Sequence, residues 1–235
     1  MSTTTVPFTP PLSPGHASSQ TDSAIQWPDL TPEEVGTLFP QVLASERLAT
    51  STWLRNHAEN RGDGFNAGPQ NVGDRLVLLG GAPTDLVSSY FAHFRHKVSL
   101  ESPGLDPASE KRLRGVVKTL MTAGVAASVH DLVAGGLMVT IAQKLLASSQ
   151  AIGAKLDLHS FGTARTDLLL FGEGAARAVL TVRAEKVGTV LSEAHTNGVA
   201  ATVVGEITAE PVFSVSTRRL LGQWAIEDLR IAIAR

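Results

Sequence analysis

The sequence contains no cysteine. That absence removes disulfides, thiolate zinc sites and cysteine nucleophiles, and it fits a reducing, cytoplasmic setting. No apolar run reaches the length of a membrane span, and no basic region followed by an apolar one opens the chain. Neither a membrane nor a secretory signal is therefore expected. A large charge of either sign is also missing: 20 Lys and Arg stand against 22 Asp and Glu, for a net −2. With no basic cluster, nucleic acid is not an expected partner. The phosphate-loop spacing Gly-x4-Gly-Lys-Ser/Thr does not occur, and no internal repeat is evident. What is present is ordinary: 235 residues, 43% hydrophobic and 18% charged, enough for one large or two small globular domains.

Residues 1–24 form a Ser/Thr/Pro tract, with Thr3-Thr4-Thr5 and Pro7, Pro10, Pro11 and Pro14. Such a tract lacks the apolar surface to offset its ordering entropy and is expected to be disordered. Residues 25–72 read as a short helical and loop lead-in. There Thr31 and Glu34 have capping-box spacing, Pro32 suits a first helical position, and Val35, Leu38 and Phe39 recur on one face. Pro40 is expected to end or kink that helix, with a second short helix from Val42 to His57. Asn60–Val72 is a glycine-rich loop, in which Arg61-Gly62-Asp63 matches an adhesion tripeptide by chance.

From residue 73 to 235 strands and helices alternate. Arg75–Gly80 is a strand buried on both faces, Thr84–His96 a helix, and Pro107 opens a helix that carries Leu113, Val116, Val117 and Leu120 and stops at Gly124. A central strand at Val125–His130 and a helix from Leu137 to Ala147 follow. Next come a half-exposed strand at Gly153–His159, a buried apolar stretch at Asp167–Phe171, a strand at Ala178–Val182 and a helix over Ala184–Asn197. Val199–Ile207 and Pro211–Ser216 are expected to pair as a hairpin, and a terminal helix carries Leu221, Ala225 and Leu229 on one stripe. The sum is α+β, a layered α/β domain whose mixed sheet is covered by helices; Ala178–Ile207 forms a β-α-β piece of ferredoxin-like character.

The stretch that organises this body is Val129-His130-Asp131-Leu132-Val133-Ala134-Gly135-Gly136-Leu137. A strand ends in a polar His-Asp pair, two glycines allow a tight turn, and a helix starts. Unpaired N–H groups and the helix dipole make such a helix start attractive to anions, and a strand-end carboxylate can hold a cation bound to phosphate. The same arrangement also serves as a plain strand-to-helix turn. Asp131 then reads as a metal ligand or as a cap on the turn, and His130 as a phosphate contact or a hydrogen-bonded structural residue. Glu173, between two glycines, either reaches a cleft, caps a turn or pairs with Arg177, which in turn suits phosphate. His93, Arg95 and His96 read as a solvated face, and Trp224 as a core anchor.

Four pieces in this order resemble the C-terminal domain of formylglycinamide ribonucleotide amidotransferase (FGAM synthase). They are Gly73–Gly80, Val129–Leu137, Leu170-Phe171-Gly172-Glu173-Gly174-Ala175-Ala176-Arg177 and Gly205-Glu206-Ile207-Thr208. The second resembles the signature His-Asp-x-Ser-Asp-Gly-Gly-Leu, the third Leu-Phe-(Ser/Gly)-Glu-Ser-x-x-Arg. The wider superfamily includes aminoimidazole ribonucleotide synthetase, thiamine-monophosphate kinase, selenophosphate synthetase and a hydrogenase-maturation dehydratase; Phe-Gly-Glu-x-x-x-Arg argues against the kinase branch. The resemblance implies an aminoimidazole ribonucleotide synthetase C-terminal-like fold and ATP-dependent amidation in purine biosynthesis. It implies ATP or ADP and Mg2+ as ligands, with Asp131 on the metal and His130, Gly135, Gly136, Glu173 and Arg177 near phosphate. The departures are Val133 and Ala134, where the signature has Ser and Asp, Gly174 in place of Ser, and Leu86-Val87-Ser88-Ser89-Tyr90 in place of Leu-Gly-Gly-Ser-Glu-Tyr. The superfamily's N-terminal ATP-gripping domain has no counterpart in residues 1–72. The expectation is thus a catalytically incomplete unit that needs a protein partner carrying the ATP-binding half, or a homodimer. The alternative is a non-catalytic interaction or regulatory paralogue.

Overall fold

A strand that is apolar on both sides of its pleat stays dry only where both faces of its sheet are covered. Leu76-Val77-Leu78-Leu79 is such a run, and in the computed structural model all four side chains are buried. The structure describes residues 27–45, 71–83, 86, 89–97, 106–132, 135–174 and 176–234. The expected tail over 1–24, most of the second lead-in helix and nearly all of the glycine-rich loop lie outside the described residues.

In chain order the elements are α1 (Pro32–Ser45), β1 (Arg75–Leu79), α2 (Tyr90–His96), α3 (Pro107–Thr122), β2 (Ala126–Asp131), α4 (Gly136–Ala147) and β3 (Gly153–Asp157). There follow α5 (Thr166–Phe171), β4 (Ala178–Val182), α6 (Val187–Thr196), β5 (Ala201–Thr208), β6 (Val212–Ser216), β7 (Leu221–Ala225) and α7 (Ile226–Ala234). One mixed sheet holds the strands in the order β2-β4-β1-β5-β3-β6-β7. Neighbours run antiparallel except β3 and β6, which are parallel. The fold is α+β, and the strands β2-β4-β1-β5 with crossovers through α3 and α6 have ferredoxin-like order. Among the described residues no helix is long and apolar enough to cross a membrane.

Period-two alternation divides the core into two layers. Val77, Leu79, Leu180 and Val182 face α3 and α6, meeting Leu113, Val116, Leu120, Val190 and Ala194. Leu76, Leu78 and Val179 face the other way, into a larger cluster with Phe39, Ile141, Phe171 and Leu229 from α1, α4, α5 and α7. Each such fully buried side chain contributes about 1.5–3 kcal/mol. Beyond β5 the α3–α6 layer stops. There Ala154, Leu156, Phe213, Val215 and Trp224 still point into the larger cluster, while Lys155, Asp157, Leu221 and Gln223 on the opposite face are exposed.

Three sequence expectations are corrected, and a fourth, that Pro40 ends or kinks its helix, loses the first of its two alternatives. First, the strand read as central, β2, is an edge strand: it pairs with β4 alone among the described strands. Second, β5 and β6 do not form a hairpin, because β3 lies between them. The insertion depends on Gly153, where a Cβ would come within 2.2 Å of both the Glu210 and Val212 carbonyl oxygens. Third, Leu221 and Ala225 belong to β7, and the last helix starts at Ile226; an i, i+4 spacing of apolar residues matched a helical stripe by coincidence. Fourth, α1 passes through Pro40 without ending. Proline cannot donate to the carbonyl four residues back, which is that of Gly36. The Trp224 indole Nε1–H donates to that same Gly36 oxygen at 3.3 Å. Trp224 also meets Phe39 edge-on at 4.9 Å, and so anchors α1 to β7. At the other end of α1 the Thr31–Glu34 capping box forms as expected.

Removing the indole donor leaves the Gly36 carbonyl without its substitute. Trp224→Phe is expected to cost about 1–3 kcal/mol. Pro40→Ala, which restores a helical N–H to that carbonyl, recovers part of the loss in the double variant. Urea unfolding of the single and double variants checks this as a double-mutant cycle.

Candidate functional site

The ends of β1 and β2 and the start of β4 come together at one end of the sheet, since Leu79 and Asp131 both lie opposite Ala178. The connection after β2 is pinned by Leu132 N–H donating to the Arg177 carbonyl at 3.1 Å. Gly135 (φ +87°) and Gly136 (φ +66°) then reverse the chain into α4. Both conformations favour glycine. At Gly136 there is also no room: a Cβ would stand 2.6 Å from the Phe171 carbonyl carbon. The start of α4 is therefore pressed onto the end of α5, and the two-glycine turn read from the sequence has this close approach as its reason.

Glu173 occupies the centre of the site. Its Oε1 accepts from Gly135 N–H at 2.8 Å and from Tyr90 N–H at 2.8 Å. These donors belong to the starts of α4 and α2, where unpaired N–H groups and helix dipoles attract negative charge. The anion-binding position foreseen at the Gly135–Gly136 turn thus holds a carboxylate of the chain itself. Ser89 completes the α2 terminus, its Oγ accepting from Ala92 N–H at 3.2 Å.

Arg177 is buried and its donors go to backbone: Nε to the Gly81 carbonyl at 3.0 Å and Nη1 to the Gly172 carbonyl at 3.1 Å. Burial pulls its pKa down to about 10. It ties the loop after β1 to the loop that carries Glu173. His130 and Asp131, neighbours in an extended strand, project to opposite faces of the sheet. His130 is buried on the α4 side, whereas Asp131 is exposed toward α3, where it acts electrostatically on Arg114. Val133 and Ala134 lie outside the described residues. Glu173, Gly135, Gly136 and Arg177 are thus brought together, and Asp131 stands on the far face from His130.

Two clusters escaped the sequence reading. Lys144, on α4, is only 2% exposed, with Nζ donating to Ser128 Oγ at 2.7 Å and Thr181 Oγ1 at 2.8 Å. Burial lowers its pKa to about 7, so near neutrality much of it is an uncharged amine. The available signal was its position three residues after Ile141, on the buried side of a largely apolar helix. The second cluster ties the lead-in to the domain. Asp29 accepts from Thr166 and Asp167 N–H groups at the start of α5. Its burial raises the carboxyl, but backbone bonds from Thr166, Asp167 and Leu30, with Arg165, more than offset this and hold it below the usual range. Asp167, fully buried, accepts from Arg165 at 2.7 Å and from the Trp27 indole at 3.3 Å. Trp27 stacks on His96 at 4.1 Å, so that of the expected solvated face only His93 and Arg95 are exposed. No sequence motif links residues so far apart.

The family described as "AIR synthase related protein, C-terminal domain" matches residues 71–218. The chain belongs to that family. Among its relatives, phosphoribosylformylglycinamidine synthase subunit PurL of Moorella thermoacetica is 34% identical over 178 residues, which is 72% of this chain and 24% of the relative. The same subunit from Symbiobacterium thermophilum is 32% identical over 151 residues, 63% of this chain and 19% of the relative. The chain thus spans about a quarter or less of these curated relatives. In fold, phosphoribosylformylglycinamidine synthase II of Thermotoga maritima has a TM-score of 0.57 at 22% identity, over 69% of this chain and 26% of that one. T. maritima PurL complexed with ATP gives 0.57 at 21% identity, over 69% of this chain and 26% of that one.

A magnesium–nucleotide site needs several oxygen ligands and unengaged phosphate donors. Among the described residues no three His, Asp or Glu side chains gather to hold a metal. The Gly135 N–H is engaged by Glu173, and Arg177 is committed to carbonyls. The described residues by themselves therefore do not fit such a group.

Two measurements check this account. Glu173→Ala, which strips the charged acceptor from two helix starts, is expected to cost about 2–4 kcal/mol in urea unfolding. Glu173→Gln, which keeps an acceptor oxygen, costs less. For Lys144 the folded pKa lies below the unfolded value, so from about pH 7 to 10.5 the unfolded chain binds more protons. Stability is then expected to rise with pH across that window, with a slope approaching about 1.4 kcal/mol per pH unit. Lys144→Met flattens the rise and stabilises the protein at neutral pH, as read from unfolding midpoints against pH.

Proposed function

We propose that the chain is a cytoplasmic FGAM-synthase C-terminal-type unit of de novo purine biosynthesis. It takes part in the ATP-dependent amidation of formylglycinamide ribonucleotide only together with a protein that carries an ATP-binding half. Family membership over residues 71–218 and the PurL relatives support the purine-biosynthetic side of this reading. The observation that supports incompleteness is the Glu173 carboxylate on Gly135 and Tyr90 N–H, where a ligand phosphate would otherwise find donors. In the joined state Asp131, exposed at the tip of β2, would share magnesium with ligands from the other half. His130, Gly135, Gly136, Glu173 and Arg177, buried or engaged by the chain's own groups, would keep the β2–α4 turn in shape behind that position rather than touch phosphate themselves. T. maritima PurL has been solved with ATP, with ADP and with AMPPCP, and also within a PurLQS structure.

A second reading, a non-catalytic interaction or regulatory paralogue, is favoured by Val133 and Ala134, which put apolar groups where the family signature has Ser and Asp. Titration calorimetry of the whole chain with ATP and magnesium, beside an assay of ADP release with formylglycinamide ribonucleotide and ammonia, separates the cases. The expected result is no turnover by the chain alone and at most a weak heat that Asp131→Ala abolishes. Turnover by the chain alone would overturn incompleteness. Absence of heat even at millimolar nucleotide supports the non-catalytic reading instead.

A further inference from the structure

The two edges of the sheet are treated differently. β2 ends in His130 and Asp131 and has a register irregularity between Ala126 and Ser128, devices that blunt an edge against further pairing. β7, Leu221-Gly222-Gln223-Trp224-Ala225, has no charge, no proline and an unbroken register with β6. Its hydrogen-bond phase can be worked out. Thr217 N–H donates to the Leu220 carbonyl and Ile226 N–H to the Pro211 carbonyl, and these bonds bracket the β6–β7 ladder. Bonded and non-bonded pairs alternate in an antiparallel ladder, so Val215–Gly222 and Phe213–Trp224 are the bonded ones. The N–H and C=O groups of Leu221, Gln223 and Ala225 therefore point away from β6. Among the described residues no strand lies beyond them. Leu221 is 72% exposed, the most of any large hydrophobic side chain described.

We infer that β7 pairs with β7 of a second copy of this chain, antiparallel about a two-fold axis at Gln223. Three features select that occupant. The outward groups are self-complementary: Gln223 meets Gln223, and Leu221 meets Ala225 of the second copy, each exchanging N–H and C=O. The flanks of β7 carry opposite charge, exposed Arg218 and Arg219 before it and exposed Glu227 and Asp228 after it. Antiparallel pairing sets each basic flank beside the acidic flank of the other copy, whereas parallel pairing would set like beside like. Arg218 and Asp228 make no ion pair among the described residues; Arg219 is engaged with Asp29 at 3.1 Å and Glu227 with Arg230 at 3.7 Å. The pairing also gives exposed Leu221 an apolar cross-strand neighbour, Ala225 of the second copy. Because β2 lies at the opposite edge, the pairing leaves Asp131 uncovered, and it does not depend on the ligand reading above.

Sedimentation velocity of the whole chain over a concentration series tests the inference, with a reversible monomer–dimer equilibrium as the expected result. Gln223→Pro removes an outward N–H and no β6–β7 donor, and it should abolish the dimer. Arg218→Asp and Asp228→Arg should each weaken it roughly tenfold, and the double variant should restore it, since the opposite charges then exchange places. Circular dichroism and thermal melting establish that each variant is folded. If Gln223→Pro does not fold, the charge exchange decides alone. A wild type that stays monomeric at every concentration overturns the inference. So does a dimer indifferent to the charge reversals.

Discussion

The arrangement around the two-glycine turn depends on a single carboxylate oxygen shared by two helix starts. α2 and α4 approach each other with their positive ends at close quarters, and without a negative charge between them the backbone donors of Tyr90 and Gly135 would be left unpaired. Glu173 supplies that charge from the loop after α5. Arg177 then holds the loop in place by gripping the carbonyls of Gly81 and Gly172. The crowding of Gly136 against Phe171 fixes the distance over which the carboxylate must reach. Glu173 and Arg177, the charged residues of the third family motif, thus close the loops around the site, and the same residue types that attract phosphate in general here satisfy the chain's own backbone.

Much of this could be read from the residues. The apolar run at Leu76–Leu79, the capping box at Thr31 and Glu34, the helix on Leu113, Val116 and Leu120, and the turn at Gly135–Gly136 each express a local rule, and local rules survive folding. Strand order was less legible, because it is decided by which backbones can approach. Gly153 admits β3 between β5 and β6, and nothing in a glycine's neighbours announces that. Helix α1 continues through Pro40 because an indole nearly two hundred residues away replaces the missing donor. In the site, the two glycines followed from pattern, whereas the grouping of Glu173 with them came only from the family resemblance. The partners of Glu173 and Arg177 and the opposed directions of His130 and Asp131 required the register of β2 against β4.

Long-range polar ties recur through the molecule in a common form. Asp29 reaches the start of α5, Glu110 on α3 accepts from Ala176 N–H, and Trp224 reaches α1. Each satisfies a backbone group that its own element leaves unpaired, and each joins segments far apart in sequence. Lys144 does the same with hydroxyls, linking α4 to β2 and β4 through a buried amine. Such ties give the two apolar layers a defined alignment that burial, being non-directional, does not supply.

The position of β3 has a consequence for how the protein is made. Both strands that flank it are encoded downstream, β5 starting at Ala201 and β6 at Val212. On the ribosome the segment Gly153–Asp157 therefore emerges with two bare edges, and Ala154 and Leu156 wait in water until the nascent chain has grown past both partners. β1 waits in the same way, since its neighbours β4 and β5 also follow it in the chain, so both early strands stay open to mispairing until the late ones have been made.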